Sequence, residues 1–239
     1  MMDVINIIPN KVFCAFIAKD YKFSTHIYDK NFASDTEITQ NIDNIKNSLE
    51  IDELILLKQI HGDNVCLIDN DAPNLTADGI VTKRINVGIG IKTADCVPVL
   101  IAANDGSTIA AIHCGWRGAL SNLIANTVQN LKSYNQNMTY VAVIGPSIMY
   151  TSYEVGDEIY NIFIDVDNDN KNFFFNIDKS KYLFDIRKYV IAKLKFHNID
   201  TFKTIDHNTY TDNRYFSYRK NCHDNIIDNK RMVSVVWKK

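Results

Sequence analysis

Three residues in the first half of this chain have the types and placement to do chemistry together: His61, Cys96 and His113. Each borders an apolar run, in LILLKQIHGD, GIGIKTADCVPVLIA and TIAAIHCGWRG, at points where a strand would hand over to a loop. Side chains at strand ends can converge on one point although they are far apart in sequence. Two imidazoles and one thiolate can make a three-ligand zinc site whose fourth position is left for water or substrate, the catalytic rather than the closed structural arrangement. Taken singly, each has an ordinary alternative. Cys96 could be an inert buried thiol, and His61, just before Gly62, could be a turn residue or a satisfied core histidine. Asp95, beside Cys96, is a candidate acid. His26, His197, His207 and His223 lie in polar surroundings and read as solvated.

The segment from Thr108 to Gly118 reads as a strand, then Cys-Gly-Trp-Arg-Gly, then directly a helix. Such a junction exposes backbone N–H groups on which an anion can sit. Arg117 adds a fork of donors suited to phosphate or carboxylate, and Trp116 offers a face for a base or sugar. A tight turn with a packed Trp and a surface Arg would look the same. Arg219, Tyr218 and Arg84 are secondary candidates. Arg219 could bind phosphate or form a surface ion pair, and Arg84 with Lys83 suits a solvated turn.

The elements that must position these residues follow from periodicity. Strands are expected at 12–18, 54–60, 65–69, 80–82, 87–93, 96–102, 108–113, 140–144 and 232–237. In the strand 87–93, Gly88 and Gly90 alternate with Val87, Ile89 and Ile91, leaving one face open to another backbone or a ligand. Ser34 and Glu37 have capping-box spacing ahead of a stripe of Ile38, Ile42, Ile45 and Leu49. A second helix is expected to run without a break after Gly118 through Leu131. A third starts near Asp185, with Ile186, Val190 and Leu194 inward. Residues 164–172, polar and acidic, read as a surface loop. Strands outnumber helices and do not alternate with them, which predicts an α+β fold with mixed sheets flanked by helices, as one domain over 1–239.

Size and composition narrow the function classes. A chain of 239 residues, 46% hydrophobic and 23% charged, can bury a large core. A net charge of -2 gives no electrostatic footprint for nucleic acid or an anionic membrane. No run approaches the ~20 apolar residues of a membrane span, and the start lacks a signal-peptide pattern. The five cysteines are dispersed and odd in number, which suits reduced thiols in a cytoplasm.

Further motifs accompany the three segments: Ile144-Gly145-Pro146, Tyr153-Glu154-Val155, Phe216-Ser217-Tyr218-Arg219, and Arg231-Met232 opening the last strand. From Gln59 to Trp237 this ordered set resembles the YfiH family, also called the laccase-domain or "polyphenol oxidase" family. The resemblance implies a YfiH-like fold and a zinc site built by His61, Cys96 and His113. It also implies phosphorolysis of purine nucleosides to base and sugar 1-phosphate. Adenosine and inosine are the implied substrates, S-methyl-5'-thioadenosine is a further candidate, and adenosine deamination is an implied side activity. Departures from the family pattern are Cys114 for Ala, Thr151 and Ser152 for a cysteine pair, and Lys220 for Arg. The missing pair argues against a second thiolate metal site.

Literal copper oxidase chemistry conflicts with the residues. A trinuclear cluster plus a blue copper centre needs many imidazoles, and this chain has six His and no His-X-His pair. The zinc deaminase signature H-x-E…P-C-x-x-C is absent as well. Two other readings compete with phosphorolysis. One is a metal-free cysteine hydrolase with Cys96 as nucleophile and His113 as base. The other is a binding protein in which zinc is purely structural.

Overall fold

The structure, a computed structural model, describes residues 2–19, 35–69 and 75–239. Its strands in chain order are β1 (Met2–Ile8), β2 (Val12–Ile17), β3 (Glu53–Leu56), β4 (Val65–Leu67), β5 (Gly79–Thr82), β6 (Val87–Thr93) and β7 (Val97–Ala103). The remainder are β8 (Ile109–Cys114), β9 (Tyr140–Ile144), β10 (Glu154–Gly156), β11 (Phe174–Asp178), β12 (Lys181–Phe184), β13 (Ile199–Thr204) and β14 (Met232–Lys238). The helices are α1 (Asp35–Leu49), α2 (Trp116–Leu120), α3 (Leu123–Tyr134), α4 (Asp157–Val166), α5 (Ile186–Phe196) and α6 (Tyr218–His223).

Two large mixed sheets carry the fold. One has the order β1-β2-β14-β6-β3 and the other β13-β9-β7-β8-β5-β4, while β10-β12-β11 form a small third sheet. Side-chain alternation along the strands shows how they stack. On β7, Leu100 and Ala102 join Ile89, Ile91, Phe16 and Val236 in a core between the large sheets. Val97, Val99 and Ile101 face the other way, against Leu123, Val128, Tyr189 and Val190 of α3 and α5. On the far side of the first sheet, Val233, Val235 and Trp237 pack on Ile38, Ile45 and Leu49 of α1. Helices therefore cover the outer faces of two sheets packed on each other, and the expected mixed sheets with flanking helices are what the chain forms.

The stripe expected on α1 is the buried one, although Ser34 of the expected capping box and His26 lie outside the described residues. Asp185 caps α5, its carboxylate accepting from Lys188 N at 2.9 Å. The glycine face of β6 is filled by core side chains and a neighbouring backbone: a Cβ at Gly88 would lie 2.5 Å from Ile51 Cδ1, and one at Gly90 2.7 Å from Leu56 Cδ2 and 3.1 Å from Ser234 O. Other expectations change. Residues 164–172 are not a loop but the end of α4 followed by a 3-10 turn, Asn168–Phe173. Its polar residues are caps: Asp167 accepts from Asp169 N at 2.9 Å, and buried Asn170 donates to Phe163 O at 2.8 Å. The helix expected from Gly118 is broken into α2 and α3. Ser121 is extended and its hydroxyl donates to Gly118 O at 3.1 Å, so the helix restarts at Leu123 with its apolar stripe inward.

Candidate metal centre

Three different backbone settings bring the histidine-cysteine-histidine set together. His113 lies inside β8, one residue before its end, and is 3% exposed. Cys96 immediately precedes β7 and is half-buried. His61 is more remote from its strand than its apolar run suggests, because β3 stops at Leu56 and the chain turns away to pair Lys58 with Thr76. It sits in a turn with φ 58°, left-handed backbone that an L-residue rarely adopts, and its side chain is the exposed member of the set. One ligand atom from each residue lies within 4.8 Å of the others. The imidazole rings meet edge to face, centroids 4.7 Å apart.

Glycine shapes the junction. A Cβ at Gly115 would stand 3.1 Å from His61 Cδ2 and 3.3 Å from Cys96 Sγ. One at Gly118 would stand 2.9 Å from Gly62 O. Both glycines of Cys-Gly-Trp-Arg-Gly thus let α2 approach the His61 turn, a steric purpose distinct from anion binding.

The organising group behind the cluster is Asp78, which sequence reasoning did not single out. The one local signal is an acidic residue between two small ones, Ala77-Asp78-Gly79, at the start of an apolar strand. Fully buried, its carboxylate accepts from His113 Nδ1 at 2.8 Å and from the backbone N–H groups of Ile60, His61 and Gly62 at 3.1, 3.0 and 2.7 Å. The same group therefore holds the unusual His61 turn and points the other nitrogen of His113 into the cluster. Burial alone would raise the Asp78 carboxyl, but the hydrogen bonds from His113 and from the Gly62 backbone outweigh it and hold it below the ordinary range. Burial likewise opposes charge on Cys96, yet the neighbouring His113 and His61 bring its thiol down. Burial would lower His113, but Cys96 and Asp78 raise it. Without metal the cluster thus favours a thiolate beside an imidazolium. Cys14 and Cys114 are pushed up by desolvation, Lys203 opposing the shift at Cys14 and the charges on Cys96 and Asp78 adding to it at Cys114.

Asp95 is adjacent but differently occupied. One carboxylate oxygen accepts from Thr209 Oγ1 and the other from Arg219 N, each at 2.7 Å, while its carbonyl accepts from Ile148 N. Both oxygens tie the Cys96 turn to the 209–219 segment, an anchoring arrangement. Arg117 is exposed and its guanidinium lies over the Trp116 ring, 4.3 Å from the centroid, so that face of Trp116 is already stacked. Helix α2 is five residues long, too short for the aligned peptide dipoles expected of an anion-binding helix start. Arg219 donates to Glu154 O at 2.8 Å and lies over Tyr153. Burial, then the charge on Cys96, pushes the Tyr153 phenol up, and Arg219 and Arg117 oppose the shift; the Tyr153 ring therefore sits within electrostatic reach of the sulfur and both arginines.

The remaining candidates fall away from the cluster. Arg84 pairs with Glu53. Tyr218 is 57% exposed at the start of α6. His223 bonds Tyr210, and His207 lies against Arg214. Among the described residues, His61, Cys96 and His113 form the one group that could hold a metal ion, and no helix is long and apolar enough to cross a membrane.

The family described as "Multi-copper polyphenol oxidoreductase laccase" matches residues 17–239. A Rickettsia prowazekii protein named purine nucleoside phosphorylase is 33% identical over 235 residues, covering 96% of this chain and 98% of its own. The Escherichia coli protein named purine nucleoside phosphorylase YfiH is 31% identical over 187 residues, 77% of this chain and 73% of its own. In fold, a Neisseria meningitidis protein superposes with a TM-score of 0.84 at 24% identity, covering 100% of this chain and 99% of that one. Bacillus licheniformis YfiH superposes with a TM-score of 0.83 at 21% identity, covering 95% and 93%.

Proposed function

The chain belongs to the multi-copper polyphenol oxidoreductase laccase family, and on that premise we propose that it is a zinc-dependent purine nucleoside phosphorylase acting as one domain over its 239 residues. Adenosine and inosine are the proposed substrates, with S-methyl-5'-thioadenosine a further one and adenosine deamination a side activity. The observation that carries the reading is the His61, Cys96 and His113 group, orientated by Asp78, in a chain whose full-length relatives bear the phosphorylase name.

The donor set suits zinc. A tetrahedral ion with bonds of about 2.0–2.3 Å needs its ligand atoms roughly 3.5 Å apart, and the three atoms here lie within 4.8 Å of one another. The family description's copper chemistry does not fit. The described His197, His207 and His223 stand outside the cluster, and six histidines in all cannot furnish a multicopper set.

When bound, zinc would supply a positive centre that favours anionic oxygen. The chain's own residues do the rest. His113, fixed by Asp78, presents one defined nitrogen, and Cys96 supplies a thiolate. Arg117 is positioned to contact phosphate, its guanidinium free to leave the Trp116 ring for a stronger partner. Arg219 contributes positive potential beside Tyr153, which remains a neutral hydrogen-bond donor at the rim. These charges would stabilise the phosphate nucleophile and the departing purine as the sugar becomes oxocarbenium-like.

The test follows hypoxanthine release from inosine with and without phosphate, on protein whose metal content has been measured. Release that depends on phosphate, from protein holding about one zinc per chain, is expected; release indifferent to phosphate would mean hydrolysis. A second reading rests on the line Cys96–His113–Asp78, an orientated nucleophile-base pair of the cysteine-hydrolase kind. Full activity in metal-free protein would favour it.

A further inference from the structure

We propose that Gln59 is a positioning residue that sets the distance between His61 and Cys96 and so tightens the metal centre, an inference that rests on the metal reading above. The need for such a residue follows from the strand pairing. β3 runs parallel to β6 only as far as Leu56 opposite Gly90. Beyond that point the backbone carrying His61 belongs to the other side of the molecule. Lys58 N donates to Leu75 O at 2.8 Å, and Ala77 N donates to Lys58 O at 3.2 Å. The Asp78 carboxylate completes that attachment through Ile60, His61 and Gly62. These bonds hold His61 to the segment that orientates His113. None of them reaches β6, the strand that leads to Cys96.

Gln59 spans the gap. Its Nε2 donates to Lys92 O at 2.7 Å, and its Oε1 accepts from Lys92 N at 2.7 Å. Donor and acceptor are both used on the backbone of one residue, Lys92, so the side-chain amide replaces the strand rung lost when β3 turned away. Lys92 stands four residues before Cys96, and the turn between them is itself anchored by Asp95 to Thr209, Arg219 and Ile148. Apolar packing does not supply the restraint, since Ile60 is 48% exposed. His61 is also the exposed ligand, with the least burial to hold it. Partners that orientate a ligand typically change metal affinity about 10- to 100-fold when removed.

The experiment measures zinc dissociation constants by chelator competition, well below the melting temperature, together with the thermal midpoint of each metal-free protein. Gln59→Ala should weaken zinc about tenfold. Gln59→Glu retains an acceptor for Lys92 N but loses the donor to Lys92 O, and should fall between wild type and Gln59→Ala. Asn104→Ala, which loses a bond to Thr139 far from the centre, should leave zinc affinity unchanged. A Gln59→Ala protein that binds zinc as tightly as wild type, whatever its midpoint, overturns the inference alone, because a merely structural bond would move only the midpoint. Wild-type protein that binds no zinc overturns the metal reading and this inference together.

Discussion

Replacing Asp78 with Asn changes almost no volume, so its effect measures what the charge and the second acceptor oxygen do. In the native protein one oxygen serves His113 Nδ1 and His61 N, and the other serves Ile60 N and Gly62 N. Asparagine can keep only one of these pairs. With its oxygen towards His113, the amide NH2 faces two backbone donors; each buried donor left unpaired costs about 1–3 kcal/mol. With its oxygen towards Ile60 and Gly62, the NH2 faces His113, which must then accept at Nδ1 and carry its proton on the other nitrogen. That tautomer presents an N–H where a metal needs a lone pair. The first orientation costs stability; the second costs affinity and also leaves the His61 N–H, one backbone donor, without its acceptor. A loss of about 3 kcal/mol lowers the melting midpoint of a domain this size by about 6–12 °C, and loss of the orientating partner weakens metal about 10- to 100-fold. Thermal melts of the metal-free protein and chelator competition for zinc separate the two costs. An Asp78→Asn protein that melts within about 2 °C of wild type and binds zinc equally would refute the role given to this carboxylate.

Other substitutions test the neighbouring assignments. Asp95→Asn can accept from Arg219 N while donating to Thr209 Oγ1, so an anchoring role predicts retained activity, with Asp95→Ala losing it; inactivity of the correctly folded Asn protein would instead point to Asp95 as a proton-shuttling acid. Arg117→Ala should raise the KM for phosphate about 10- to 100-fold, the worth of a charged hydrogen bond, with nucleoside binding little changed; an unaltered phosphate response would remove Arg117 from the site. Gly115→Ala is compatible with the local backbone, φ -70° and ψ 166°, but places a methyl 3.1 Å from His61 and 3.3 Å from Cys96. Zinc content on purification should therefore fall while the metal-free midpoint changes little, and normal zinc loading would show that the gap tolerates a methyl.

The candidate ligands were legible because each borders an apolar strand, but the group that assembles them was not. Asp78 follows Ala77 in a short turn and carries no chemical signature of its own; its importance comes from four donors arriving from two chain segments. The same physics explains the errors of boundary. The apolar run 54–60 resembles one strand because burial continues through Leu57, whereas the backbone changes pairing partner after Leu56. Polar strands were harder still. β11 and β13 are mostly exposed, so no period-two burial marks them, and they are strands because a neighbour supplies the ladder. Core strands such as β6 and β9 kept their expected limits, since both of their faces are packed.

The division between legible and hidden residues also bears on how the centre evolves function. Ligand identity is written locally, in a histidine or cysteine beside a strand. Ligand geometry is distributed over Asp78, Gln59, Gly115 and Asp95, whose contacts cross 16 to 124 residues of sequence. A change at one of those positions leaves the ligand set intact and alters its spacing. Metal affinity and orientation of the reacting groups can thus change while the histidine-cysteine-histidine pattern stays the same, and a ligand motif alone underdetermines activity. The relevant comparison between two such centres is the set of bonds that hold the ligands, beginning with the carboxylate that grips both histidine segments.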